Sequence, residues 1–199
     1  MKIVTSVLVT IVLIAAAALG LVYSGAFNVA ASEPDSAAVH WLMETIRERS
    51  IESRLDAIEV PPLGDPALVA EGAEHYDAMC AVCHVAPGGE VSEIRAGLNP
   101  KPPNLVEHGA HDLAETFWVI KHGIKMTGMP AWGETHDDQT IWGIVAFVQA
   151  LPELSPEAYR SMIAQTAGGH AHGERPQGAE SGGDESESEA PERHSTGGP

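Results

Sequence analysis

The sequence predicts an all-α protein. Three observations carry this: apolar residues recur at helical spacing in several segments, no stretch reads convincingly as a run of strands, and helix-starting Asp-Pro and acidic cap sequences alternate with Gly- and Pro-rich connections. The elements divide into residues 1–31, 32–62, 63–160 and 161–199.

The first segment opens MKIVTSVLVTIVLIAAAALGLVY, with one lysine ahead of an uncharged, mostly apolar run over residues 3–23. A hydrocarbon core of ~30 Å needs about 20 residues at 1.5 Å each, so this run is long enough to span. Its length favours a retained transmembrane anchor; a cleavable signal ending near the small residues of VAAS (29–32) is the competing reading. Either one sends the rest of the chain across the membrane, because the only positive charge lies at the start and the next charge is Glu33.

In residues 32–62, Val39, Leu42, Met43 and Ile46, then Ile51, Leu55 and Ile58, follow helical spacing with charges between them, which predicts an amphipathic helical linker with an interruption near Ser50. It is suited to lying on a membrane, to contacting a partner subunit, or to serving as a solvated spacer. Pro61 and Pro62 end it.

The compact domain is expected over 63–160. Asp65 is placed to cap a helix with Pro66 at its first position, and that helix runs into two cysteines. Residues 86–103 read as loop. A second helix is expected over 112–122 with Leu113, Phe117, Trp118 and Ile120 mostly inward. Met126 follows closely enough to be its last packing residue. A third helix, capped within THDDQ, turns Ile141, Ile144, Val145 and Val148 inward and stops at Pro152. From 161 onward apolar residues almost vanish, and a segment that buries no surface cannot offset its ordering entropy, so a disordered acidic tail is expected.

The formal net charge is -17. Residues 61–160 alone hold 5 basic and 14 acidic side chains. Phosphate binding needs clustered Lys and Arg, so a nucleic-acid partner is excluded and a protein with a basic docking face is the natural complement. Two cysteines leave no room for a disulfide framework.

Those two, Cys80 and Cys83, stand in CAVCH (80–84). Thiols at this spacing can form a redox disulfide, supply half a zinc site, or add across the two vinyl groups of a haem whose iron the adjacent His84 then ligates. Zinc wants about four protein ligands and no second Cys pair exists; a thiol redox motif wants a βαβ setting. Covalent haem, one haem c, is the reading the pattern favours. The sixth iron position decides the chemistry: methionine there gives an electron carrier, a vacancy permits gas binding or peroxide chemistry. HGIKMTGMPAWG (122–133) offers Met126 and Met129. Met129, between Gly128 and Pro130, is the better candidate because such a turn exposes a side chain on a stiffened backbone; for both the plain alternative is packing. His75, His108, His111, His122 and His136 read as surface or helix-end residues. HAH (170–172) and His194, among carboxylates, offer weak Cu(II) or Zn(II) binding or are simply solvated.

CAVCH, PPNL (102–105), GMPAWG (128–133) and a last helix ending FVQALP, in that order, resemble the class I cytochromes c of bacteria over about residues 65–155. The hydrophobic start, NVAA and the helix beginning HWL look like a membrane-anchored, single-haem branch. The resemblance implies the class I cytochrome c fold wrapped around one covalent haem, attachment through Cys80 and Cys83, His84 and Met129 as iron ligands, and a hydrogen bond from the His84 ring to a carbonyl of Pro102 or Pro103. It further implies a glycine–aromatic crossing of first and last helices, supplied by Gly72 and Tyr76 with Trp142 and Phe147. Val85 departs from the pattern, since many relatives carry glycine there. The expected function is one-electron transfer at the periplasmic face of a bacterial inner membrane, with redox proteins and the membrane as partners and no small-molecule substrate. A permanent haem subunit of a dehydrogenase or oxidase is the alternative; a peroxidase or gas sensor would need an open sixth site.

Overall fold

Helix α1 (Lys2–Tyr23) is unbroken and none of its residues is buried, so none of the described residues covers an apolar surface one bilayer long. The computed structural model describes residues 1–169, and no strand occurs among them.

Helix α2 (Ala37–Glu52) starts at Ser36, whose hydroxyl accepts from the Val39 N–H, and yields at Ser53, slightly beyond the expected break, to a 3-10 turn at Leu55–Ala57. It is exposed over most of its length and docks on the domain at its C-terminal end. Ile51 is 4% exposed, Ile58 and Leu63 pack on the domain core, and the Asn99 side-chain amide donates to the Glu33 carbonyl at 3.3 Å. The linker is thus attached near both ends, while Trp41, Leu42, Met43 and Ile46 keep an exposed apolar side.

Helix α3 (Pro66–His75) is capped as expected, with the Asp65 carboxylate accepting from the Ala67 N–H at 2.9 Å. It continues through one wide π turn (Tyr76–Cys80) into α4 (Ala81–His84), so the expected single helix carries a bulge just before the cysteines. Two short helices, α5 (Glu93–Gly97) and α6 (Leu105–His108), flank the proline loop; α5 lies inside the stretch expected to be loop. Helix α7 (Leu113–His122) follows, capped by Asp112, and Phe117 and Ile120 are its buried residues.

Helix α8 (Asp138–Ala150) starts at Asp137, whose carboxylate accepts from the Thr140 N–H at 2.8 Å. All residues from 141 to 148 are buried, so it is covered on every side rather than on the one stripe expected. Its crossing with α3 is the closest approach at any glycine among the described residues: a Cβ added at Gly72 would lie 1.9 Å from the Gly143 carbonyl oxygen. Beside it the Tyr76 and Phe147 rings pack at 5.2 Å. The expected crossing therefore needs one correction. Trp142 takes no part in this aromatic pair but stacks on Phe117 of α7, centroids 4.1 Å apart. Positions five apart differ by about 140° around a helix, so Trp142 and Phe147 cannot serve the same neighbour.

After a 3-10 turn (Leu151–Glu153), α9 (Pro156–Gly169) packs back along α3. Tyr159 is 4% exposed and its hydroxyl donates to Asp77 at 2.5 Å; Met162 and Ile163 join the core. A boundary at 161 thus falls inside a helix. Tyr159, Met162 and Ile163 have the spacing of one helical face, a signal swamped by the composition of the following tail. Residues 170–199, including His170, His172 and His194, lie outside the described residues.

Gly72→Ala tests the crossing. Overpacking costs about 1–3 kcal/mol and alanine's better propensity returns only about 1. Because the obstacle is main chain rather than a side-chain tip, we expect a net loss of about 2 kcal/mol in denaturant unfolding; an unchanged midpoint would mean that the helices separate freely.

Candidate functional site

The end of α4 presents CAVCH. Cys80 is buried and Cys83 half-buried, and no disulfide joins them. Burial, and secondarily the neighbouring Cys83, pushes the Cys80 thiol up to about 12, so it is protonated at neutral pH.

The His84 ring sits with Nδ1 3.0 Å from the Pro103 carbonyl oxygen. A carbonyl only accepts, so Nδ1 carries the proton and Nε2 keeps its lone pair. Burial lowers the ring's pKa, the Pro103 bond opposes that, and the Arg95 charge adds to the lowering. The net result is a neutral imidazole with one nitrogen available for a metal.

Arg95 is delivered by α5. Ser92 caps that helix by accepting from the Arg95 N–H at 3.0 Å, and its hydroxyl donates to the Val82 carbonyl. The Arg95 guanidinium donates to the Cys83 carbonyl at 2.6 Å and lies 3.5 Å from the Pro103 carbonyl. Sequence reasoning missed both helix and arginine; the cap signal available was Ser92 followed by Glu93.

Val85 follows the histidine at φ 72 and ψ 143, a backbone conformation in which a β-branched residue is strained and glycine is not. That accounts physically for glycine being the commoner residue in the pattern it departs from. The strained turn is held by Tyr76, whose hydroxyl donates to the Val85 carbonyl at 2.6 Å and approaches that of His84 at 3.3 Å.

The methionine loop is closed on itself. Gly123 ends α7 at φ 64, and a Cβ there would meet the Met129 carbonyl oxygen at 2.8 Å. The Ile124 N–H donates to that same carbonyl at 3.1 Å, while the Thr127 hydroxyl donates to Ile124 and accepts from the Met129 N–H. Met129 is half-buried against the core. Met126 is not the packing residue expected from its place after α7: it is 87% exposed at φ 60, carried outward by the turn that tucks Met129 inward. The loop touches the proline-loop side of the site, since a Cβ on Gly128 would come within 2.6 Å of the Leu98 side chain.

The donor set fits a covalent haem: two unpaired thiols, an imidazole nitrogen with no hydrogen-bond partner among the described residues, and a thioether on a braced turn. The five histidines weighed above as ligands have ring neighbours elsewhere. His75 packs edge-on against His136, His122 against the Trp118 ring, and His108 near His111. Among the described residues no group of three or more His, Cys, Asp or Glu is arranged to hold a metal ion.

Residues 67–148 match the protein family described as cytochrome c oxidase, cbb3-type, subunit III. The curated relative cytochrome c6 of Bryopsis maxima is 29% identical over 77 residues, covering 39% of this chain and 84% of that protein.

Two outcomes are expected. Val85→Gly should raise stability by about 1 kcal/mol through release of the positive-φ strain, read as a higher unfolding midpoint; a lower midpoint would show that the valine side chain contributes more than its backbone costs. Burial, then the Cys80 neighbour, raises the Tyr76 pKa above its usual 10, and burial, then the Asp77 bond, does the same for Tyr159. Both rings stay protonated in the fold after the unfolded chain begins to ionise, so their contribution is complete below pH ~10 and falls as pH rises beyond it. Unfolding at stepped alkaline pH should show this decline, and Tyr159→Phe should flatten it.

Proposed function

We infer the role of this chain from what its centre is: residues 67–148 belong to the class I cytochromes c, carry one covalently bound haem c, and transfer electrons to and from redox proteins. We propose that the chain is a one-electron carrier tethered by α1 to the bacterial inner membrane, with its haem domain (63–160) on the periplasmic side, linked to the anchor by residues 32–62. Its redox partner meets the acidic domain with a basic docking face.

In this reading Cys80 and Cys83 form the thioether links, His84 supplies the proximal nitrogen and Met129 the distal sulfur. When bound, the haem supplies a ferric–ferrous couple. The protein's own contribution is to hold both ligands still. Pro103 fixes the tautomer and orientation of the His84 ring, and the hydrogen bonds around Thr127 fix the Met129 backbone. Leu105, Leu113 and Trp132 are partly buried against the core, and a bound haem facing such apolar surroundings would have its more charged oxidation state disfavoured. The observation that carries the carrier reading is the braced methionine loop: a second fixed ligand leaves a substrate no open position.

A second reading has two observations in its favour. The matched family is described as an oxidase subunit, and α2 is packed on the domain with an apolar side still exposed. Both suit a permanent haem subunit of a larger membrane complex. Purification in mild detergent separates the two: a lone chain supports the carrier, a stable stoichiometric partner the subunit.

The ligand assignment is tested by the oxidised visible and near-infrared spectrum. The far-red methionine–iron band should be present in the wild type, lost in Met129→Leu and unchanged in Met126→Leu and His122→Gln. A high-spin wild type that binds carbon monoxide readily when reduced would replace the carrier with a gas sensor or peroxidase.

A further inference from the structure

We propose that Arg95 is a positioning residue that raises the reduction potential by acting on the carbonyl of Pro103, and through it on His84. The inference rests on the assignment of His84 as an iron ligand. It begins with an oxygen that has two suitors. The Pro103 carbonyl accepts from the His84 ring at 3.0 Å and lies 3.5 Å from the Arg95 guanidinium, whose nearer bond, 2.6 Å, goes to the Cys83 carbonyl. One planar cation therefore bridges the residue before His84 and the residue that orients its ring.

The local chain is built to deliver this group. A five-residue helix in the middle of a loop buries no residue, so packing does not account for it. What it does is hold Arg95: Ser92 caps it and ties it to the Val82 carbonyl between the two cysteines. Arg95 itself is half-buried and aimed at carbonyl oxygens rather than at a carboxylate.

Two effects follow, and they have the same sign. A carbonyl polarised by a second donor accepts less strongly from the His84 N–H, so the ring keeps less negative character and stabilises the ferric state less. A fixed positive charge beside the ligand also disfavours the state with one more positive charge. Both push the potential up. A purely mechanical staple between α4 and the proline loop would leave the potential where it is as long as both ligands stay bound.

The test is a redox titration of the full haem-loaded chain in detergent, comparing wild type with Arg95→Gln and Arg95→Lys. Gln keeps a short donor and loses the charge; Lys keeps the charge but loses the planar group that aims one nitrogen, Nη1, at both carbonyls. We expect the Gln variant to favour the ferric form about tenfold, a potential about 59 mV lower for one electron, and the Lys variant to shift roughly threefold in the same direction. Should the Gln variant fail to load haem, the Lys variant decides alone. An intact histidine–methionine spectrum with an unmoved or raised potential overturns the Arg95 role and leaves the ligand assignment standing. A wild-type spectrum without that signature overturns both, before any variant is compared.

Discussion

The crossing of α3 and α8 at Gly72 and Gly143 sets the positions of everything that follows along both helices. At that point main chain meets main chain, and a single methyl group on Gly72 would collide with a carbonyl oxygen. Close approach fixes the relation of α3 to α8 more tightly than side-chain packing can, because there is no rotamer to adjust. From the crossing, α3 runs through its π turn to the cysteines, and α8 lies at the centre of the core with Tyr76 and Phe147 packed beside the glycines. Of the other helices, α7 covers α8 through the Phe117–Trp142 stack and the Lys121–Asp138 ion pair, while α9 packs along α3, sets Tyr159 against Phe147 and bonds it to Asp77 in the π turn.

The site is assembled from one half that is helical and one that is loop, and the two are made rigid differently. The helical half relies on hydrogen bonds to carbonyls that the helix end and the proline loop leave free: His84 on Pro103, Tyr76 on Val85, Arg95 on Cys83. The loop half relies on closure, with Gly123 pressed against the Met129 carbonyl and Thr127 bridging inside the turn. The halves touch at Leu98 and Gly128. Were His84 and Met129 the iron ligands, as proposed, an electron carrier would benefit, because ligands that do not move between oxidation states keep the cost of rearrangement small. The strain at Val85 shows that the geometry around the histidine is imposed by these partners and not by the local preference of the chain.

Much of this was legible in the residues. Asp65, Asp112 and Asp137 announce their helices because a carboxylate followed by unsatisfied N–H groups is a local event, complete within one turn. CAVCH and the order of the later landmarks point to the cofactor and the fold without any tertiary information. What was not legible depended on contacts between distant segments. Trp142 reads like a partner for Tyr76 until the angular separation from Phe147 is considered. Met126 and Met129 differ in sequence only by their neighbours, yet a positive φ sends one out and closure of the loop keeps the other in. The helix over 156–169 went unread, and its residues from 161 were assigned to the tail because of the polar composition that follows them. The packing of Ile51 has no signature of its own, since any amphipathic helix offers the same stripe to a membrane, a partner or its own domain.

The bond between Asn99 and the Glu33 carbonyl turns the connection to α1 into a short leash. From residue 24 to residue 32 the chain extends at most about 30 Å, and beyond that point it is held against the domain. With α1 in a bilayer, the domain would be confined to a shell one small protein deep, leashed from the side that carries the proline loop. Encounters with a partner held in the same membrane would then be set by lateral diffusion within the membrane plane, and by which way each protein faces, more than by any concentration in the bulk.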